Sequence, residues 1–247
     1  MTLPQRARAL HRAASRLLIR RAPRHRIEKF VFVVGYGRSG STLIQAILGA
    51  IPGCHIVGEN LGAVFTLAQA HARLAEVANR FGPGPAPADH PWYGAFELDP
   101  DAIGERLAET LVDEVLRPPL GTRIAGFKEI RWLAEPYDLA TSIAFLKRYC
   151  APARFVLNIR DPEAVIRSGW WRERPREAAL AQIGAWNTAL EETAAANPDH
   201  CHLLRFEEFT RDPDRLAPLF AFLGEPFDRA AVERVLGRRL LHAGVPS

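Results

Sequence analysis

Residues 30–42 read FVFVVGYGRSGST, a β-branched and aromatic run that turns abruptly into glycine, serine and threonine. Such a run suits a strand buried on both faces. Gly35, Gly37 and Gly40 permit a tight turn, and STLIQAILGAI follows as a helix closed by Pro52-Gly53. A glycine turn between a buried strand and a helix aims backbone N–H groups and the helix dipole at an anion. Gly35 and Gly40 match the spacing of the phosphate-binding pattern G-x-x-x-x-G-K-[ST], yet Ser41 stands where the lysine belongs and Arg38 sits inside the loop. The lysine of that pattern reaches the β- and γ-phosphates. Without it a nucleoside triphosphate is disfavoured. A single 5′-phosphate or phosphosulfate fits better, with Arg38 as its fixed charge and Ser41 and Thr42 as hydroxyl donors. A turn that holds no ligand is the bland alternative.

Outward from this stretch, strand and helix patterns alternate. HIVG, GTRIAGFK, ARFVLNIR and CHLLRF are further strands, with helical segments between them. The alternation predicts an α/β protein, a three-layer P-loop-type fold with a central parallel sheet flanked by helices. Residues 81–94, FGPGPAPADHPWYG, interrupt it as a surface loop or an active-site lid. At 247 residues and 48% hydrophobic the chain suffices for one large domain, here 30–247, preceded by a basic segment, 1–29. That segment carries nine basic residues against one acid, a net of +8, which leaves about −4 for the rest of a chain whose total is +4. The domain therefore lacks the charge of a nucleic-acid-binding fold. Leu3, Ala7, Leu10, Ala14, Leu17 and Leu18 recur at helical spacing, so residues 1–20 read as a basic amphipathic helix. Its readings are packing on its own domain or on a sister subunit in a homodimer, contact with a membrane surface, and disorder. No apolar run reaches the roughly 20 residues that cross a bilayer. No secretion-signal core is present either, so a cytoplasmic location is expected. Cys54, Cys150 and Cys201 share no metal-ligand spacing and read as reduced thiols.

A second motif lies in FVLNIRDPEAVIRSGWW, residues 155–171. The strand ends at Arg160, Asp161-Pro162 opens a helix, and Ser168 falls two turns into it. With RSGSTL (residues 38–43), this resembles the sulfotransferases that use 3′-phosphoadenosine 5′-phosphosulfate (PAPS). Their 5′-phosphosulfate loop is of the R-S-G-[ST]-[ST]-L kind. Their 3′-phosphate motif is R-D-P with a serine eight residues after the arginine, which Arg160 and Ser168 match. LLRFEEFTRDPDRLAPLFAFLGEPFD (residues 203–228) is similar to the family's late strand and helix. There Phe206 takes the place of a frequent tyrosine near the adenine; a plain core phenylalanine is its other reading. The resemblance implies that Gly37, Arg38, Ser39, Gly40, Ser41, Thr42, Arg160, Ser168 and Phe206 hold PAPS, with no metal.

Sulfuryl transfer needs a base for the acceptor hydroxyl and cations for developing charge. Many cytosolic relatives place a histidine two residues after a strand lysine; FKEIRW keeps Lys128 but has Ile130 at that position. The carbohydrate and tyrosyl-protein branches use a glutamate after the P-loop helix, and HIVGEN supplies Glu59. Glu59 is the expected base, with Lys128 and Arg38 on the transferring group. Glu129 is its rival, turned away by strand alternation if Lys128 points inward. A structural Glu59 is the remaining alternative. Trp170, Trp171 and Trp186 are candidates for an acceptor pocket as well as for the core. The eight histidines show no ligand spacing, and His200 and His202 read as strand-edge residues. The late R-K-G-x-x-G-x-W segment of cytosolic relatives is absent; the chain ends VLGRRLLHAGVPS, which leaves the role of Arg238 and Arg239 open. The expected activity is transfer of sulfate from PAPS to a hydroxyl of a carbohydrate or small molecule. A P-loop small-molecule kinase and a non-catalytic nucleotide-binding protein are the alternatives.

Overall fold

Strand β1 (Lys29–Val34) runs through the middle of the molecule and is fully covered beyond its first residue. Its alternation sorts side chains to two cores. Phe30, Phe32 and Val34 point into one, and Val31 and Val33 into the other. Burying each such side chain contributes about 1.5–3 kcal/mol, so this strand alone commits the chain to a sheet covered on both sides. The computed structural model describes residues 26–237. The expected N-terminal basic helix and the pair Arg238 and Arg239 lie outside the described residues.

Four further strands join β1: β2 (Cys54–Val57), β3 (Ile124–Glu129), β4 (Ala153–Ile159) and β5 (Cys201–Arg205). All pair in parallel, in the order β2-β3-β1-β4-β5. Helices α1 (Ser41–Leu48), α8 (Ala217–Leu223) and α9 (Arg229–Leu236) bury Ile44, Phe220 and Val232 in the Val31 core. The opposite face is covered by α2 (Ala63–Phe81), α3 (Pro100–Thr110), α4 (Leu139–Tyr149) and α6 (Arg176–Ala196). Two short helices, α5 (Pro162–Ile166) and α7 (Phe206–Arg211), start at the ends of β4 and β5. The expected three-layer α/β fold is present. No helix among the described residues is long and apolar enough to cross a membrane.

Three local readings change. Helix α1 stops at Gly49, before Pro52-Gly53, because the cap N–H turns back to Gln45 and Ile47. Helix α5 stops at Ile166, so Ser168 is not helical. It is extended (φ −130°, ψ 134°), and Gly169 beside it adopts a left-handed φ of 60°, which a helix cannot continue. The loop at 81–94 follows α2 and does not join the site described below. Helix α2 begins there and runs 19 residues, about 28 Å, before the loop starts. At the far end the ring of Trp92 stacks on Phe81 at 3.8 Å. No residue of the loop lines the cavity described below.

Candidate active site

Every strand delivers something to one place, at the carboxyl end of the sheet. The strand order reverses around β1, and ligands of open α/β sheets collect at that switch point. A cavity of about 230 Å³ lies there. After β1 it is walled by Gly37, Arg38, Gly40, Ser41 and Thr42, after β2 by Glu59, on β3 by Lys128, after β4 by Arg160 and after β5 by Phe206. Ser41 and Thr42 open α1, so their N–H groups have no intrahelical acceptor and face an anion with the dipole behind them. Gly40 is required twice over. Its φ is 95°, and a Cβ there would come within 2.2 Å of the Phe206 ring.

Two expected members are not brought to the cavity wall. Ser39 is fully buried, with its N–H donated to the Tyr36 carbonyl at 3.1 Å and its own carbonyl accepting from Asn158 Nδ2 at 2.5 Å. Ser168 lies behind Arg38, whose Nε donates to the Ser168 hydroxyl at 2.7 Å. That bond spans 130 residues and joins the two sequence motifs directly. It also holds Arg38 at a positive φ of 70°, which is uncommon for a residue with a side chain. Arg160 donates to the Arg38 carbonyl at 3.0 Å and lies 4.2 Å above the Phe206 ring. Its Nε is buried without a hydrogen-bond partner, 3.8 Å from the Glu207 carboxylate. Burial holds the Arg160 guanidinium below the usual arginine value against the pull of Glu207, and Arg38 adds to the lowering. An anion placed beside it relieves that penalty.

At the other side of the cavity the charges are paired. Lys128 Nζ donates to Glu59 Oε1 at 2.6 Å, and Arg131 Nη1 donates to Glu59 Oε2 at 3.0 Å. Burial disfavours the Glu59 carboxylate, but hydrogen bonds and charge from Lys128 and then Arg131 outweigh it and hold the group below the usual carboxylate range. Glu129 points to the opposite face of β3, as alternation requires. Fully buried, it accepts from the N–H groups of Asn60 (3.0 Å), Gly62 (3.1 Å) and Ile130 (2.8 Å) and from Arg131 (2.8 Å). It therefore fixes the loop that carries Glu59 and does not reach the cavity.

Two supporting residues escaped the sequence reading. Arg131 bridges Glu59 and Glu129, 72 and 2 residues away, through an antiparallel bridge of its backbone with Tyr36. The Tyr36 hydroxyl accepts from Arg160 N–H at 3.0 Å and donates to Asn187 at 2.6 Å, and burial pushes its pKa up to about 12. It stays a neutral strut between the glycine loop and the end of β4. Of the three tryptophans that were candidates for an acceptor pocket, Trp171 is buried and donates to the Gly37 carbonyl at 2.9 Å, Trp170 is half exposed against Gly37, and Trp186 is partly buried.

With this geometry in place, similarity to known proteins can be weighed. The profile of the Sulfotransferase family matches residues 31–229. No curated protein matches the chain. Among solved structures, the sulfotransferase domain of the olefin synthase from Synechococcus PCC 7002 is similar with a TM-score of 0.52 and 20% identity, over 91% of this chain and 83% of that one. A sulfotransferase domain from the curacin biosynthetic pathway gives 0.46 and 17%, over 85% and 78%. Mouse sulfotransferase SULT7A1, complexed with PAP, gives 0.45 and 15%, over 85% and 63%. The first supports the fold.

Proposed function

The chain belongs to the sulfotransferase family, and from that premise we propose that it moves a sulfuryl group from PAPS to a hydroxyl of a carbohydrate or small-molecule acceptor. The observation that carries this reading is the convergence of Arg38, Glu59, Lys128 and Arg160, from four strand ends, on one cavity. The cavity suits a bisphosphate. Its arginine side has positive charge in hand, because Arg38 donates to a neutral hydroxyl and Arg160 keeps a buried Nε unbonded.

In this reading the α1 N-terminus, with Ser41 and Thr42, holds the 5′-phosphate. Arg160 holds the 3′-phosphate, with Ser168 beside Arg38. Phe206 offers its ring to the adenine. PAPS supplies the group that moves: the acceptor oxygen bonds to sulfur as the bond from sulfur to the 5′-phosphate oxygen breaks, and 3′-phosphoadenosine 5′-phosphate (PAP) is released. Glu59 takes the acceptor's proton, while Lys128 and Arg38 stabilise the charge gathering on the transferring group and the leaving oxygen. In this reading Lys128 Nζ, held 2.6 Å from Glu59 before the donor enters, moves toward the sulfuryl group as the reaction proceeds. As it turns to the donor, Glu59 loses the partner that most depresses its proton affinity, and the base strengthens when the donor is in place.

The test is calorimetric titration of the protein with PAP, AMP and Mg-ATP, repeated on Arg160→Ala. PAP is expected to bind at least tenfold more tightly than AMP, about 1.4 kcal/mol, and the variant to lose that margin. Equal or tighter binding of Mg-ATP would overturn the donor assignment in favour of a kinase.

A further inference from the structure

A second cavity, of about 570 Å³, adjoins the first and shares Gly37, Ile130 and Trp170 with it. Its volume falls within the roughly 300–1,000 Å³ usual for small-molecule sites. It lies between the turn after β3 (Leu133, Ala134), the Trp170-Trp171 segment, and the α6 face that presents Gln182 and Trp186. Resting on the donor reading above, we propose that this cavity is the acceptor site and that it takes an alcohol or phenol borne on a largely apolar, ring-containing body.

Three observations carry the assignment. First, the cavity abuts the base. Arg131 lines it and is bonded to Glu59 at 3.0 Å, so a hydroxyl at the shared wall stands between the two compartments. Second, Trp170 forms part of both walls and is 48% exposed. The ring is left uncovered beside the proposed reaction site, and an apolar acceptor would bury it.

Third, most of the lining is apolar, and its polar side chains other than the Glu135 carboxylate already have partners. The Trp171 indole N–H is taken by the Gly37 carbonyl, Arg174 is bonded to Gln182 at 2.8 Å and lies over the Trp171 ring at 5.0 Å, and Arg131 serves two carboxylates. A sugar would bring several hydroxyls to a wall that offers them the Glu135 carboxylate and the remaining donors of Arg174 and Gln182, too few for a polyol. Each hydroxyl buried without one costs about 1–3 kcal/mol. A body with a single reacting hydroxyl avoids that cost and gains the burial of its rings against Leu133, Trp170 and Trp186. The apolar lining thus narrows the acceptor class from carbohydrates to apolar alcohols.

The experiment titrates the full chain by calorimetry with 2-naphthol and with methyl β-D-glucopyranoside, each with and without PAP. Two variants fill the cavity from opposite walls, Ala134→Phe from the turn and Gln182→Trp from α6; neither residue touches the donor cavity. Naphthol is expected to bind at least tenfold more tightly than the glucoside. Either folded variant should weaken it at least tenfold and leave PAP binding within twofold of wild type. Glucoside binding as tight as naphthol, or naphthol affinity unchanged in both variants, would overturn the proposal. If PAP fails to bind wild type while naphthol binding is still lost in the filled variants, the donor reading falls and the assignment of this cavity stands.

Discussion

The two ends of the sheet carry the same charge motif and use it differently. At the amino ends of β1 and β3, Lys29 and Arg123 clasp Glu225 at 2.9 and 2.8 Å, and Arg123 also meets Glu28. At the carboxyl end, Lys128 and Arg131 clasp Glu59, and Arg131 also meets Glu129. Both clusters alternate cation and carboxylate, and in both, burial of the central glutamate is outweighed by its two cations, which hold it below the usual carboxylate range. Their surroundings differ. The Glu225 side chain is 5% exposed and ties α8 to the strand starts, whereas the Glu59 side chain is 34% exposed and faces the cavity beside the α1 N-terminus. The same ion-pair pattern is a clamp where helices close over it and, in the proposed reaction, holds the base where a ligand space meets it.

The sharpest way to break that contrast is to neutralise each central carboxylate. Glu59→Gln is expected to slow sulfate transfer about 10²–10⁴-fold, the usual share of a general base, and also to lower stability, because buried Lys128 loses its carboxylate. Turnover within a few-fold of wild type would strip Glu59 of its role as base. Arg160→Ala tests the nearby cation whose Nε has no hydrogen bond. Loss of a hydrogen bond to a charged group costs about 1.5–3 kcal/mol, so PAP should bind some 10- to 150-fold more weakly, and Arg131→Ala should leave that affinity within a few-fold.

Glu225→Gln should differ from Glu59→Gln in sparing turnover. It leaves Lys29 and Arg123 without their shared partner and lowers stability by about 1–3 kcal/mol, while turnover per folded molecule is kept. Because the folded-state pKa of Glu225 is depressed, its contribution is present above the unfolded value near 4.3 and is lost as pH falls through the lower folded value. Urea melts at pH 7 should separate wild type from Glu225→Gln, and melts well below pH 4 should bring them together. The smallest effect concerns Arg131. The acid limb of kcat/KM for wild type should fall below the ordinary glutamate value of about 4.3, and Arg131→Ala should move it upward by removing one of the two cations that depress Glu59. A limb that does not move would limit Arg131 to holding the loop.

Much of this was legible from residue types and spacing. The five strands, the glycine loop and the convergence of Arg38, Lys128, Arg160, Glu59 and Phe206 follow from patterns that lie next to strand ends. Ser168 was misplaced because Asp-Pro announces a helix start and nothing as strong announces its end. The signal was the serine-glycine pair, where Gly169 turns left-handed and lets the hydroxyl meet Arg38. Arg131 and Tyr36 carry no motif, since each acts on a residue far along the chain. Ser39 sits inside the recognisable loop yet is fully buried, with its backbone carbonyl held by Asn158 on the neighbouring strand.

Layer architecture is written in the sequence by itself, because burial on two faces needs only an unbroken apolar strand and helical periodicity on either side, and both are local. Which carboxylate meets Lys128 is not local. It depends on β2 lying beside β3, which sets the loop after β2 against the end of β3 and brings Glu59 within 2.6 Å of the lysine. The same order places Arg131 between Glu59 and Glu129 and opens the tryptophan-walled cavity against the base. Strand order is settled by the packing energy of the whole sheet, so the tertiary structure alone decided the pairing.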